Sequence, residues 1–335
     1  MERSGKTVVV TYLLTSVTAA VIGVALFEWF LPGEVGILAL ETGSGTMEGF
    51  SLLTILETLI PPNIVEPFIS VNSLQLMVIA MTVGTALTMS GKRVRHLKVM
   101  LEELDVLFGK VSSLVMHMVP VVVYCSTANA LLSSRAEVLS ATVELIPVLV
   151  VGVVVLVLYC LILVVAARLN PLPFLRKYVP AMKSVFLKGS SVAAIPINMR
   201  ISRRQLGVPG SICAFSIPLG ATINMDGNCM CLTIISLFFA RICNVTFGTN
   251  EMVVLLLLVL ILSLGAPIAP GTLILCLVTL LTQMGIDISV ISLVIGINFL
   301  LEMLLGMVNS VGNVVVALLV ARKEDTLDLD IYRRK

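Results

Sequence analysis

A chain of 335 residues with 58% hydrophobic residues, 13% charged residues and a mean hydropathy of +1.08 is not an ordinary soluble domain, in which about a quarter of residues are charged. It reads as a polytopic, all-α membrane protein. The net charge of +2 gives no support for nucleic-acid binding, and in such a chain what matters is where the Lys and Arg residues fall.

The first predicted span covers about residues 7–31. An apolar run from Thr7 to Phe27 follows a basic start and resembles a signal sequence, but it is too long for an h-region, and Trp29 suits an interfacial anchor. Tyr12, Thr15 and Ser16 stand at i, i+3 and i+4 and share one face. Such hydroxyls serve either a site or the packing of their own helix. Leu31 to Phe50 holds no Lys or Arg, which predicts an external loop. Residues 50–90 are apolar but interrupted at Pro61, Pro62 and Pro67, so a broken span is expected.

Gly91 to Lys98, reading GKRVRHLK, is a basic hinge expected on the cytosolic side. The next helix should enter the membrane near Lys110 and leave near Arg135. Another follows from about Glu137 to Arg168, with 23 uncharged residues from Leu145 to Ala167. Beyond Asn170 comes a partly apolar region with Ser190 and Ser191 at its centre. Its apolar flanks are too short to span, and they carry Arg176, Lys177 and Lys183 before the Ser pair and Arg200, Arg203 and Arg204 after it. A re-entrant hairpin dipping in from the cytosol explains both facts; an amphipathic surface helix is the alternative.

Between Arg204 and Arg241 lie 36 residues whose only charge is Asp226. As one helix they would be about 54 Å long, against a bilayer core of about 30 Å. The segment should therefore be bent or broken, and Pro218, Gly220 and Gly227 mark the break. A carboxylate with Asn224, Asn228 and Thr222 at mid-membrane is costly unless it holds something, and the carbonyls of an unwound turn suit a desolvated cation. A packing kink with a hydrogen-bonded Asp is the plainer reading.

Residues 252–286 are uncharged but interrupted from Ser263 to Gly271, which predicts a second hairpin, entering from outside. In the last span, 288–321, Glu302 is the one charge. At about 100° per residue, Asn298, Asn309 and Asn313 fall within roughly 40° of it, giving one polar stripe that must meet a cavity or another polar segment. The tail from Arg322 to Lys335 is solvated. Threaded from a cytosolic N-terminus, this topology places all of the 22 Lys and Arg residues inside except Arg135 and Arg241. The 7 Cys residues are odd in number and sit mostly in apolar runs, so they read as packing residues rather than a disulfide or metal framework.

Two hairpin tips, each followed by a polar helix and entering from opposite faces, form an inverted repeat with its site at the midplane. On Tyr12 to Ser16, the Ser190-Ser191 tip with Pro196, Pro218 to Gly227 with its Asn-Met-Asp-Gly, Ser263 to Gly271, and Met307-Val308-Asn309, the chain resembles the dicarboxylate/amino acid:cation symporter family of glutamate transporters. The resemblance begins at what would be the family's third helix, so the first two helices are expected to be absent. It implies a glutamate-transporter-like fold with two re-entrant hairpins and broken helices. Residues 1–31 would be a transport-domain span, 32–170 scaffold-like helices plus one transport-domain helix, 171–321 the core transport domain, and 322–335 a cytosolic tail.

The resemblance also implies site residues. One sodium site would use Tyr12, Thr15 and Ser16 with Asn224 and Asp226. A second would use carbonyls of Gly220, Asn224 and Asn309 with Asn313, where many members have Asp. A third would use backbone oxygens around Thr222, Met225, Ser263, Leu264 and Ala266. Substrate would contact Ser190, Ser191, Asn228, the tip near Ala269, Glu302, Leu305, Gly306 and Asn309.

Leu305 stands where carriers of acidic amino acids have Arg, so the bidentate clamp on a second carboxylate is missing. That points to a neutral amino acid or an atypical carboxylate over aspartate. The expected protein is a sodium-driven symporter, with protons as an alternative ion. It would be a homotrimer in the plasma (inner) membrane, with both termini cytosolic and an elevator-like moving domain. A non-transporting sensor derived from such a carrier is the alternative. An intramembrane hydrolase would need a base beside Ser190 or Ser191, where Lys188 is the nearby candidate, and no enzyme activity is expected.

Overall fold

The computed structural model describes residues 2–31, 60, 61, 63–69, 72–118, 120, 121, 124, 125, 128, 136–188, 191, 193–243, 245, 247–265, 271–286 and 291–334. Among these residues the regular structure is entirely helical. The external loop expected from Leu31 to Phe50 and most of the crossing expected to end near Arg135 lie outside the described residues.

Helix α1 (Glu2–Phe30) contains no proline and runs as one rod. Val8, Tyr12, Thr15, Ser16, Ala19 and Ala20 are buried along one face, whereas Val10, Leu14, Val17 and Val21 are exposed apolar residues on the other. A helix apolar on its outer face as well as its inner one is built for lipid. The short α2 (Glu66–Ile69) precedes α3 (Ser73–Ser90), which Asn72 caps through a bond from the Gln75 N–H. Gly91, at φ 57°, ends α3 and supplies the left-handed turn a side chain resists.

A 3-10 turn, Gly91–Val94, leads into α4 (Arg95–Met116). Lys110, near which this helix is expected to enter the membrane, lies within α4. Helix α5 (Ala136–Ala166) keeps its helical course through Pro147.

The second half follows with α6 (Pro171–Lys188), α7 (Ile195–Arg204), α8 (Gly210–Ile223), α9 (Asp226–Ile242), α10 (Thr249–Gly265), α11 (Thr272–Gln283), α12 (Ser292–Lys323) and α13 (Leu329–Arg333). The long segment around Asp226 is broken, as its length demanded, and the break falls at Asn224 and Met225, between Gly220 and Gly227. Pro218 stays inside α8. Ser263, expected in an interruption, is still helical and buried; α10 ends two residues later at Gly265.

Among the described residues, four helical stretches are long and apolar enough to cross a membrane: Gly5–Phe30, Val143–Ala166, Gly210–Ile242 and Val294–Lys323. Burial separates them, since 89% of the broken α8–α9 window is inside the protein against 39% for each of the first two. The broken pair is thus wrapped by protein, where irregular backbone is tolerated, while α1 and α5 present apolar surface. Gly23 allows α1 to lie close on α9: a Cβ there would stand 3.0 Å from the Met230 carbonyl oxygen.

Two apolar clusters divide the interior. One takes Ala19 to Leu31 of α1, Cys229 to Ile242 of α9 and Val294 to Val308 of α12; the other takes Val8 and Tyr12 of α1, Ile212 to Ile217 of α8 and Val311 to Ala321 of α12. Buried Thr15, Ser16, Asn224, Asp226, Asn309 and Asn313 form a polar layer at the junction. Ser16, Asp226 and Asn309 each stand within two residues of the midpoint of their span.

Candidate functional site at the helix break

Asn224 and Met225 leave helical geometry at φ −96°, ψ 81° and φ −109°, ψ 52°. That unwinding turns Asp226, the first residue of α9, onto the hydroxyl face of α1. Ser16 Oγ donates to Asp226 Oδ1 at 2.9 Å. The Asn224 amide nitrogen faces the same carboxylate, 3.1 Å from Oδ1 and 3.3 Å from Oδ2; its oxygen there would set acceptor against acceptor. That nitrogen also donates to Thr15 Oγ1 at 3.0 Å, and Thr15 in turn donates to the Tyr12 carbonyl at 3.0 Å. The Tyr12 hydroxyl donates to the Ser216 carbonyl at 2.9 Å. The predicted set of Tyr12, Thr15, Ser16, Asn224 and Asp226 is therefore one connected group. Among the described residues no Lys, Arg or His side chain pairs with Asp226, which is only 4% exposed.

The α12 stripe meets the other side of the break. Gly227 N donates to Asn309 Oδ1 at 2.8 Å, and Asn309 Nδ2 donates to Asn228 Oδ1 at 3.1 Å. Gly227 has to be small, since a Cβ there would lie 3.1 Å from Asn309 Oδ1 and 3.2 Å from Leu305 Cδ2. Asn313 is fully buried against Asn224 and the Gly220 carbonyl. Higher on the stripe, half-buried Glu302 accepts from Gly271 N at 2.7 Å, at the start of α11.

Other predicted residues join less directly. Thr222 Oγ1 donates to the Leu219 carbonyl of its own helix at 2.7 Å, and the Met225 carbonyl accepts from Cys229 N at 2.9 Å. Ser263 is buried and Leu264 half-buried at the end of α10, and Gly306 is buried beside Leu305. Ser191 is buried, and its carbonyl accepts from Ala194 N at 3.3 Å just ahead of α7. Ser190, Ala266 and Ala269 lie outside the described residues.

Sequence reasoning passed over Ser216 and Gly271. Ser216 stands four residues before Gly220 on one face of α8, a small-residue spacing that could have found it. It also passed over a second buried polar group: the Tyr178 hydroxyl donates to Asn198 Oδ1 at 2.8 Å, and Asn198 Nδ2 donates to Ser310 Oγ at 2.6 Å.

Long apolar helices around a buried polar layer at mid-span define an integral membrane protein whose interior is built for polar contacts. The sequence model of the sodium:dicarboxylate symporter family matches residues 1–323, and the chain belongs to that family. It is a family of transporters, not of enzymes.

The chain is 26% identical to a C4-dicarboxylate transport protein 1 of Pseudomonas aeruginosa over 298 residues, 88% of this chain and 66% of that protein. It is 29% identical to an excitatory amino acid transporter of Caenorhabditis elegans over 170 residues, 51% of this chain and 34% of that protein. It is 29% identical to the excitatory amino acid transporter 2 of Homo sapiens over 149 residues, 44% of this chain and 26% of that protein. The matches thus span no more than 66% of the length of these relatives.

Proposed function

We propose that this chain carries the transport core of a secondary active symporter, coupling sodium or alternatively protons to uptake of a small amino acid or organic carboxylate. One observation carries the reading: Asp226 is a buried carboxylate at mid-span, with no cationic side chain beside it among the described residues. An isolated buried anion is costly, and a carboxylate bonded by Ser16 Oγ and joined through Asn224 to Thr15 Oγ1 and on to the Tyr12 carbonyl offers neutral oxygens that suit a small hard cation. Asn224 holds the carboxylate in place. Backbone oxygens around Thr222, Met225, Ser263, Leu264 and Ala266 are a further place for a cation.

Substrate would lie along the Asn228, Asn309, Leu305, Gly306 and Glu302 side of α12, under the segments holding Ser190, Ser191 and Ala269. The missing clamp at Leu305 favours a neutral amino acid or an atypical carboxylate over aspartate. On this reading the Ser190-Ser191 stretch with Pro196 and the Ser263 to Gly271 stretch belong to two re-entrant hairpins. Residues 171–321 with the first span are the part that moves, elevator-like, against scaffold helices in 32–170. Three copies assemble in the plasma (inner) membrane with both termini, including the 322–335 tail, in the cytosol.

The test is uptake by the purified protein in proteoliposomes across a panel of amino acids and organic acids, with sodium or potassium outside. Sodium-dependent uptake that Asp226→Asn abolishes is expected. A well-folded protein with no uptake from any of the panel would favour a sensor instead.

A further inference from the structure

Asn313 sits at the end of the polar layer away from Asp226, where three oxygens converge without a carboxylate. Its side-chain amide lies 3.1 Å from the Gly220 carbonyl, 3.2 Å from the Asn309 carbonyl and 3.0 Å from the Asn224 amide. Asn313 and Asn224 are both 0% exposed, so no water competes for these contacts. Two arrangements are possible. With the Asn313 oxygen turned on the two carbonyls, oxygens face one another without a proton, which a bound cation would have to neutralise. With the nitrogen turned on them, two N–H bonds serve the cluster.

The neighbours select the second arrangement. Asn224 must aim its nitrogen at the Asp226 carboxylate, so its oxygen is what faces Asn313, and an oxygen needs a donor there. The Asn313 oxygen is then turned toward Ala221 N at 3.3 Å, a donor. In this arrangement the two Asn313 N–H groups face three oxygens, all of them acceptors, whereas the other sets oxygen against oxygen at Asp226 and at both carbonyls.

We propose that the Asn313 amide is an internal substitute for a cation: it turns N–H groups on the remaining lone pairs of the Gly220 carbonyl, which already accepts from Asn224 N at 2.9 Å, and of the helical Asn309 carbonyl, so this oxygen cluster is closed to sodium. The residues do not fit a cation here, although they fit one at Asp226. The identity of the cation rests on the proposed transport reading; the chemistry of the cluster does not. Replacing the amide by a carboxylate removes both N–H donors and adds a charge, which should open the cluster to a cation. The coupling number is thereby set one lower than the same scaffold would have with Asp at this position.

The experiment follows thermal unfolding of the full chain in lipid nanodiscs, with sodium chloride exchanged for choline chloride at constant ionic strength. The slope of stability against log sodium counts the cations bound on folding. Asn313→Asp should be less stable than wild type in choline and should bind one sodium more. Its folding equilibrium would gain a further tenfold for each tenfold rise in sodium. Asn313→Ala should lose stability equally in both salts and keep the wild-type slope.

An Asn313→Asp protein with no added sodium dependence, or an Asn313→Ala protein whose slope falls by one cation, overturns the proposal. Should Asn313→Asp fail to fold, Asn313→Ala alone decides. Asp226→Asn separates the two readings: loss of the sodium slope is expected. If that slope survives, the assignment of Asp226 is lost, while the role of Asn313 is still decided by its own variants against wild type.

Discussion

Glu302 Oε1 accepts a hydrogen bond from the backbone N–H of Gly271 at 2.7 Å, tying the middle of α12 to the residue that caps α11. Gly271 is at φ 86°, ψ 0°, a left-handed conformation that a side chain resists, so the N–H is presented by a turn that only this residue type makes cheaply. A carboxylate at that spot also meets the positive end of α11. Glu302→Ala should free this N–H: hydrogen exchange at Gly271 and the first turn of α11 should quicken by roughly tenfold or more, as expected for losing a charged bond of about 1.5–3 kcal/mol. Glu302→Gln, which keeps an oxygen acceptor, should restore most of the protection. Exchange unchanged in Glu302→Ala would mean that other contacts hold the turn.

Gly227 is a place where α9 lies close on α12. A methyl group there would press on Asn309 Oδ1 and Leu305 together, and moving Asn309 would stretch the 2.8 Å bond from Gly227 N. Overpacking of this kind costs about 1–3 kcal/mol. Gly227→Ala should therefore lower the melting temperature of the purified protein. Gly109→Ala is the control, because a Cβ at Gly109 meets nothing within 4 Å and the change should be neutral or stabilising. Equal melting temperatures for Gly227→Ala and wild type would show that α12 can retreat without cost.

How far the sequence could be read depended on what each residue needs. Asp226 was legible because a lone carboxylate in 36 otherwise uncharged residues must be accommodated, and Tyr12, Thr15 and Ser16 because helical spacing puts three hydroxyls on one face. The existence of a break followed from length alone. Its position followed in part: Gly220 and Gly227 bracket the break at Asn224 and Met225, whereas Pro218, the third marker, remains helical. An Asn side chain that bonds across to Asp226 and Asn313 compensates for unwinding in a way that only tertiary neighbours reveal. The Glu302 to Gly271 bond was invisible for the same reason, since it depends on how α11 lies against α12.

Lys177 clasps the C-terminal segment. Its Nζ donates to the carbonyls of Gln205, Ile331 and Tyr332 at 2.8, 2.9 and 2.8 Å. The Tyr332 hydroxyl donates to the Asn170 carbonyl at 2.8 Å, and Asp328 N donates to the Gly207 carbonyl at 3.0 Å. Lys177→Met keeps the aliphatic stem but removes all three donors. Limited trypsin digestion should then cleave at Arg333 and Arg334 several times faster, with the rest of the chain unchanged. Identical cleavage rates would show that Tyr332 and Asp328 hold the segment unaided.

The buried group of Tyr178, Asn198 and Ser310 joins α6, α7 and α12 in the apolar cluster next to the polar layer. Asn198 is 0% exposed and both of its side-chain bonds go to these partners, so Asn198→Ala should cost about 1–3 kcal/mol by leaving buried hydroxyls short of a partner. Ser310→Ala removes one of the same contacts, and the two changes should be non-additive. A double-mutant cycle on the unfolding midpoint reads this coupling, expected at about 0.5–3 kcal/mol for residues sharing a network. Additive effects would mean that the three side chains act as separate fillers of the core and not as one connected joint.

Ser16 and Thr18 offer the sharpest contrast on α1. Ser16 Oγ donates to buried Asp226, whereas half-buried Thr18 donates its Oγ1 to the Leu14 carbonyl of its own helix and bonds Tyr159, away from the carboxylate. Ser16→Ala withdraws a donor from a buried carboxylate, and the cost should be about 1–3 kcal/mol in sodium-free buffer. Thr18→Val should stay within about 0.5 kcal/mol of wild type. If sodium binds at Asp226, Ser16→Ala also loses a ligand oxygen, so more sodium is needed to reach the same stabilisation while Thr18→Val follows the wild-type titration. Matching sodium titrations for the two variants would place the cation away from the α1 hydroxyls, whatever Asp226 itself does.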